Sequence, residues 1–179
     1  MNAMLNWILG IFTVATLTAP RITAGIEYIA SLPPAPQQTA ITCHDAVWEK
    51  DTLVQFNGIR THTKLKPFLE KLVTDGRAAG VGIVFNSGYR TCDEQAKLRA
   101  YACGTGEYNM NLKPIKDCTP PTEPAGKSLH NEGLAVDLAC SGYGIFESSP
   151  CYAWMKANHA RYSLFEHELE PWHWSTTGV

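Results

Sequence analysis

Apolar residues recur at Leu65, Phe68, Leu69, Leu72 and Val73, the i, i+3, i+4, i+7, i+8 spacing of one helical face. Pro67 suits the first turn of that helix, and Gly76 or Gly80 its end. The run 81–86 then reads as a strand leading into Ser87-Gly88-Tyr89-Arg90. Thr91-Cys92-Asp93-Glu94 forms a capping box, so a helix over 92–102 is predicted, with Arg90 held at a strand-to-helix junction. Residues 104–124 are rich in Gly, Asn, Pro and Thr without periodicity, which predicts a long loop forming one wall of a cleft. Alternation returns over 133–139: as a strand, this run puts Leu134, Val136 and Leu138 on a core face and Gly133, Ala135, Asp137 and Ala139 on the other. Ser149-Pro150 pairs an N-cap with a first-turn proline and predicts a helix to about residue 160, on which Tyr152, Met155 and His159 mark packing rather than ligands. The pattern is that of a mixed α+β domain.

The N-terminus behaves differently. Residues 1–20 carry no charge and 4–19 are mostly apolar, so 1–24 reads as a signal peptide or membrane anchor ended by Arg21. Its length is marginal for a span of about 20 residues, and a weak cleavage site ends at Ala24. Leu32-Pro33-Pro34-Ala35-Pro36 makes 25–40 an extended linker. A domain of 41–179 follows, long enough to bury a core. The chain has 179 residues and a formal net charge of −2 with no basic run, which argues against nucleic acid and for a small or peptidic partner. All six cysteines follow the linker, as expected for disulfides outside the cytoplasm. The preferred pairing is Cys103 with Cys118 and Cys140 with Cys151, each stapling an irregular loop, which leaves Cys43 with Cys92 by elimination. No CxxC pair supports a cysteine metal site.

The face carrying Asp137 is a floor of small side chains, with room above it, and a carboxylate buried there without a cation would be costly. His130 precedes it by seven residues, and His173 lies in Glu170-Pro171-Trp172-His173-Trp174. Two imidazoles and a carboxylate can fill three positions of a hydrolytic zinc site and leave one for water. Glu170 is then the nearest base, and alternation turns Trp172 and Trp174 away from His173. His44, His62, His159 and His167 are the competing imidazoles; Glu166 and Glu168 are the competing carboxylates.

Three blocks, Ser87-Gly88-Tyr89-Arg90, Ser128 to Asp137 in the pattern SxHxxGxAxD, and Glu170 to His173 as ExWH, occur in one order over roughly 81–175. In this the sequence resembles the VanY-type D-alanyl-D-alanine carboxypeptidases and the wider group of D,D-dipeptidases, phage endolysins, lysostaphin-like enzymes and hedgehog domains. The resemblance implies a small, mainly antiparallel sheet with helices on one side and the metal on the open face. It implies Zn2+ on His130, Asp137 and His173, Glu170 as base and acid, and a substrate hydrogen bond from Ser128. It further implies that Arg90 anchors the substrate carboxylate or stabilises the oxyanion. The expected substrate is the D-alanyl-D-alanine end of a peptidoglycan stem peptide, acted on outside the cytoplasm. The alternatives are an endopeptidase of the endolysin kind and a zinc domain that only binds the cell wall.

Overall fold

The computed structural model describes Cys43, residues 52–144 and residues 146–179. The apolar segment 1–24, the linker 25–40, their boundaries and His44 lie outside these residues. Among the described residues no helix is long and apolar enough to cross a membrane.

The first described elements are strands β1 (Leu53–Phe56) and β2 (Ile59–His62), paired as an antiparallel hairpin. Asn57 and Gly58, at φ 45° and 87°, form the two-residue turn whose handedness suits twisted strands. Helix α1 (Lys66–Ala78) begins with Pro67 in its first turn, and Gly80 follows its end with φ 74°. Strand β3 (Ile83–Ser87) leads to α2 (Cys92–Cys103), where the Thr91 hydroxyl and Glu94 carboxylate complete the expected capping box. Then come β4 (Ala135–Cys140), α3 (Pro150–Asn158), which tightens into a 3-10 turn at His159–Tyr162, β5 (Phe165–His167) and β6 (Glu170–Ser175). The sheet order is β3-β4-β6-β5, antiparallel throughout. The result is the expected α+β architecture.

One face of this sheet is core. Phe85, Val136, Leu138 and Trp174 pack with Leu69 and Leu72 of α1 and Met155 of α3, all buried. Val136 and Trp174 are direct partners across β4 and β6, so one contact joins the two strands and fixes their faces. The buried stripe of α1 is narrower than its sequence predicts: Leu65, Leu69 and Leu72 are enclosed, whereas Phe68 is 39% exposed. Strand β4 also begins two residues later than alternation suggests. Gly133 is no part of the floor; it caps the preceding 3-10 turn at φ 65°, and a Cβ there would stand 2.9 Å from the His62 backbone nitrogen. Leu134, before the strand, is only half-buried.

Helix α2 stands outside that apolar cluster and organises the 104–124 segment. Two helical turns interrupt the expected loop, Tyr108–Leu112 and Ile115–Asp117. Arg99, fully buried on α2, donates from Nε to the Asn109 carbonyl at 2.9 Å and from its other nitrogens to the carbonyls of Lys113 and Thr122. Its planar fork thus gathers three parts of one segment. Disulfides join Cys103 to Cys118, Cys140 to Cys151 and Cys43 to Cys92, the expected pairing. Arg99→Met should cost about 3 kcal/mol or more, because buried carbonyls lose their donors. Urea unfolding with the disulfides intact measures this; a loss below about 1 kcal/mol would show that Arg99 does not hold the segment.

Candidate metal centre

The register of two strands sets the centre. Asp137 on β4 pairs directly with His173 on β6, so both side chains project from the face opposite Val136 and Trp174. His130 comes from the 3-10 turn Leu129–Glu132, whose N-cap is Ser128. The His130 Nε2, Asp137 Oδ1 and His173 Nδ1 atoms form a closed triangle of 3.1, 3.1 and 3.3 Å. Metal–ligand bonds of about 2.0–2.1 Å in a tetrahedral zinc site require edges of about 3.3 Å.

Proton accounting favours a cation at that triangle. His130 Nδ1 lies 2.6 Å from the Gly88 carbonyl oxygen, an acceptor, so Nδ1 carries the proton and Nε2 presents a lone pair. Burial lowers the His130 pKa despite Asp137, which keeps the imidazole neutral. Burial alone would raise the pKa of Asp137, but His130, His173 and Arg90 together hold it well below the usual carboxylate range. Lone pairs of a neutral imidazole and an ionised carboxylate therefore face each other across 3.1 Å, relieved only from outside by Arg90, whose terminal nitrogen donates to Asp137 and lies 3.1 Å from His130 Nε2. A divalent metal resolves that repulsion, and these three residues could hold one.

Arg90 borders the same triangle. Its Nε donates to Ser87 Oγ at 3.0 Å, one terminal nitrogen to Gln95 Oε1 at 3.1 Å, and the other to Asp137 Oδ2. The main chain beside it is equally fixed: Arg90 N donates to the His130 carbonyl, and Asn131 Nδ2 to that of Arg90. Glycine at position 88 answers a close approach, since a Cβ there would lie 2.3 Å from the Arg60 carbonyl oxygen. That approach is what delivers the Gly88 carbonyl to His130.

Glu170 reaches the cleft through an irregularity. On β5, Glu166 pairs with Trp174 and the next residue, His167, with Glu170. One step along β5 therefore spans four residues of β6, and Pro171-Trp172-His173 bulges between them. Plain alternation would send Glu170 and His173 to opposite faces; the bulge brings both to one cleft of about 210 Å³, together with Arg90, Ser128, His130 and Asp137. Trp174 is in the core as expected, and Trp172, partly buried, packs against that core while also lining this cleft. Burial pushes the Glu170 carboxyl up to about 7. The Ser128 hydroxyl accepts from His130 N at 3.3 Å.

The competing residues are engaged elsewhere. Glu166 binds the Tyr152 hydroxyl and Lys156, Glu168 is exposed, and His159 Nδ1 meets the Leu164 carbonyl. His62 Nδ1 accepts from Lys64 N. His167 lines the cleft, its ring centre 5.6 Å from that of His173, but lies outside the three-ligand set. Sequence reading missed Gln95, Trp172 and Glu123, all lining the cleft. Gln95 lies five residues after Arg90, a spacing that repeats no helical face, and Glu123 stands in an aperiodic segment, so neither gave a signal.

In metal-free protein the raised Glu170 pKa has a sign. Between the ordinary 4.5 and about 7 the folded state binds more protons than the unfolded, so stability falls as pH rises through that window. Glu170→Gln should therefore stabilise the chelated protein at pH 8 by on the order of 2 kcal/mol, with the gain gone at pH 4. Denaturant melts at the two pH values test this, and a gain that ignored pH would contradict it.

Residues 58–179 match the family model described as VanY, D-alanyl-D-alanine carboxypeptidase. A D-alanyl-D-alanine carboxypeptidase of Enterococcus faecalis (strain ATCC 700802 / V583) is 27% identical over 138 residues, 69% of this chain and 50% of that protein. Another, from Enterococcus faecium, is 30% identical over 121 residues, 61% of this chain and 35% of that protein. The chain thus spans half or less of the length of these relatives. Among solved structures, VanYB in complex with D-alanine-D-alanine superposes with a TM-score of 0.58 at 25% identity, covering 78% of this chain and 82% of that one. A point mutant of the vancomycin-resistance D,D-pentapeptidase VanY, from a VanB-type cassette and in complex with Zn(II), gives 0.53 at 25% identity, covering 69% and 76%. With the family model matching well over half of its length, the chain belongs to the VanY D-alanyl-D-alanine carboxypeptidase family.

Proposed function

We propose that this chain is a zinc-dependent D,D-carboxypeptidase that removes the terminal D-alanine from peptidoglycan stem peptides. The observation that carries the proposal is the closed triangle of His130, Asp137 and His173 with Glu170 and Arg90 in the same cleft. When bound, zinc would acidify a water and polarise the scissile carbonyl. Glu170 accepts the proton of the attacking water on its carboxylate and returns it to the leaving amine nitrogen as the C–N bond breaks. A carboxyl whose affinity for a proton is raised by burial is suited to both transfers. Arg90, fixed by Ser87 and Gln95, presents a guanidinium that can take either the terminal carboxylate or the developing oxyanion. Ser128 offers its hydroxyl to the bound peptide from the cleft wall.

The setting follows from the same residues. Three disulfides that use every cysteine fit an oxidising compartment. The apolar segment 1–24 would carry the domain there as a signal or an anchor, with 25–40 as the tether to the cell wall.

The test is release of D-alanine from a stem pentapeptide. Release should require zinc, stop on chelation, and fall about a thousandfold in Glu170→Gln. Its kcat/KM should rise with pH as Glu170 loses its proton, through an ionisation at or below about 7. Cleavage inside the stem with no free D-alanine would make the protein an endopeptidase instead, and no cleavage of any peptide would leave a binding domain.

A further inference from the structure

Two titratable groups in the cleft, His167 and Glu123, serve neither the candidate ligand set nor the acid–base step; the His167 ring accepts from the Leu169 main chain, and Glu123 is the anionic one. Glu123 lines the cleft from the 104–124 wall, half-buried. Among the described residues its carboxylate makes no hydrogen bond, and charged groups act on it only at a distance. Lys127, Arg99 and His173 act on it only through space, and burial raises its pKa. Arg99 has spent its donors on main-chain carbonyls, as described above.

Its position is built rather than incidental. Gln95 Nε2 donates to the Glu123 carbonyl at 2.8 Å while Gln95 Oε1 accepts from Arg90, so a single amide links this residue's backbone to the guanidinium of the site. The preceding carbonyl, that of Thr122, is held by buried Arg99. Pro120, Pro121 and Pro124 stiffen the chain on both sides, and a following proline keeps Glu123 extended. A fixed, half-buried carboxylate, unpaired among the described residues and partly desolvated beside a peptide cleft, gains from a cation brought by the bound peptide.

We propose that Glu123 forms an ammonium-binding subsite, so that the enzyme prefers peptides carrying a free amino group close to the scissile bond. This rests on the peptidase reading of the same cleft. The ammonium can come from the side chain of a diamino acid two residues before the leaving D-alanine, or from the α-amine of a short peptide. Both present the same charge, and a substrate panel separates them.

The zinc-loaded protein is given Nα-acetyl-L-lysyl-D-alanyl-D-alanine with its ε-amine free or acetylated, and D-alanyl-D-alanine with its α-amine free or acetylated. In at least one pair the free amine should raise kcat/KM at least about fivefold, an advantage that shrinks with salt. Glu123→Gln should bring that ratio to about 1, and Glu123→Lys should invert it. The same ratios are taken from calorimetric Kd values on protein carrying Glu170→Gln, so the preference is read even if none of the four peptides is cut. Failure of all four to be cut would refute the carboxypeptidase while leaving the Kd ratios to decide the subsite. No preference in either pair, or one that survives both Glu123 substitutions, would overturn it.

Discussion

Asp137 is buried against two imidazoles, one of which, His130, has its outer proton fixed on the Gly88 carbonyl. Its inner nitrogen and the carboxylate oxygen therefore meet lone pair to lone pair at 3.1 Å, an arrangement that tertiary structure must impose. The pairing of Val136 with Trp174 imposes half of it. By locking β4 to β6 through the core, it sets Asp137 beside His173 on the opposite face. The Gly88 approach to β2 imposes the rest, because it places the acceptor that orients His130. Arg90 supplies a positive charge to Asp137 from the outside. On the inside, the three facing donor atoms could hold a cation.

Around this centre the domain divides its labour. The apolar face of the sheet, with α1 and α3, supplies rigidity; the other face and α2 supply chemistry. Polar side chains there act mainly by holding backbone. Arg99 gathers three carbonyls of the 104–124 segment, Gln95 ties that segment to Arg90, and Asn131 ties the His130 turn to the Arg90 carbonyl. The wall of the cleft is thereby positioned by buried charge and amides in place of a hydrophobic core. Glu170 sits in this arrangement at a cost to stability, since its burial opposes ionisation.

Much of this was legible in the sequence. Val136 and Leu138 against Asp137 followed from period-two alternation, and the capping box of α2 and the proline start of α3 from local chemistry. The residues gathered in the cleft were legible because three motifs carried them. What escaped depends on long-range geometry. Strict alternation would part Glu170 from His173, because the β6 bulge answers to pairing with β5 and not to the sequence of β6 itself. Phe68 has the right helical phase but stays 39% exposed. Glu123 and Gln95 matter through contacts 28 residues apart, for which no periodicity exists. The Asn57-Gly58 hairpin is a different case: its turn dipeptide between apolar runs was a readable local signal that went unread.

X-ray absorption at the zinc edge, on protein refolded with its disulfides intact and supplied with one equivalent of zinc, tests the central claim most directly. The account predicts one tightly bound zinc with two imidazole nitrogens and a carboxylate oxygen among its neighbours, and loss of tight binding in Asp137→Ala. Sulfur in the coordination shell, or a zinc site that survives Asp137→Ala unchanged, would contradict it.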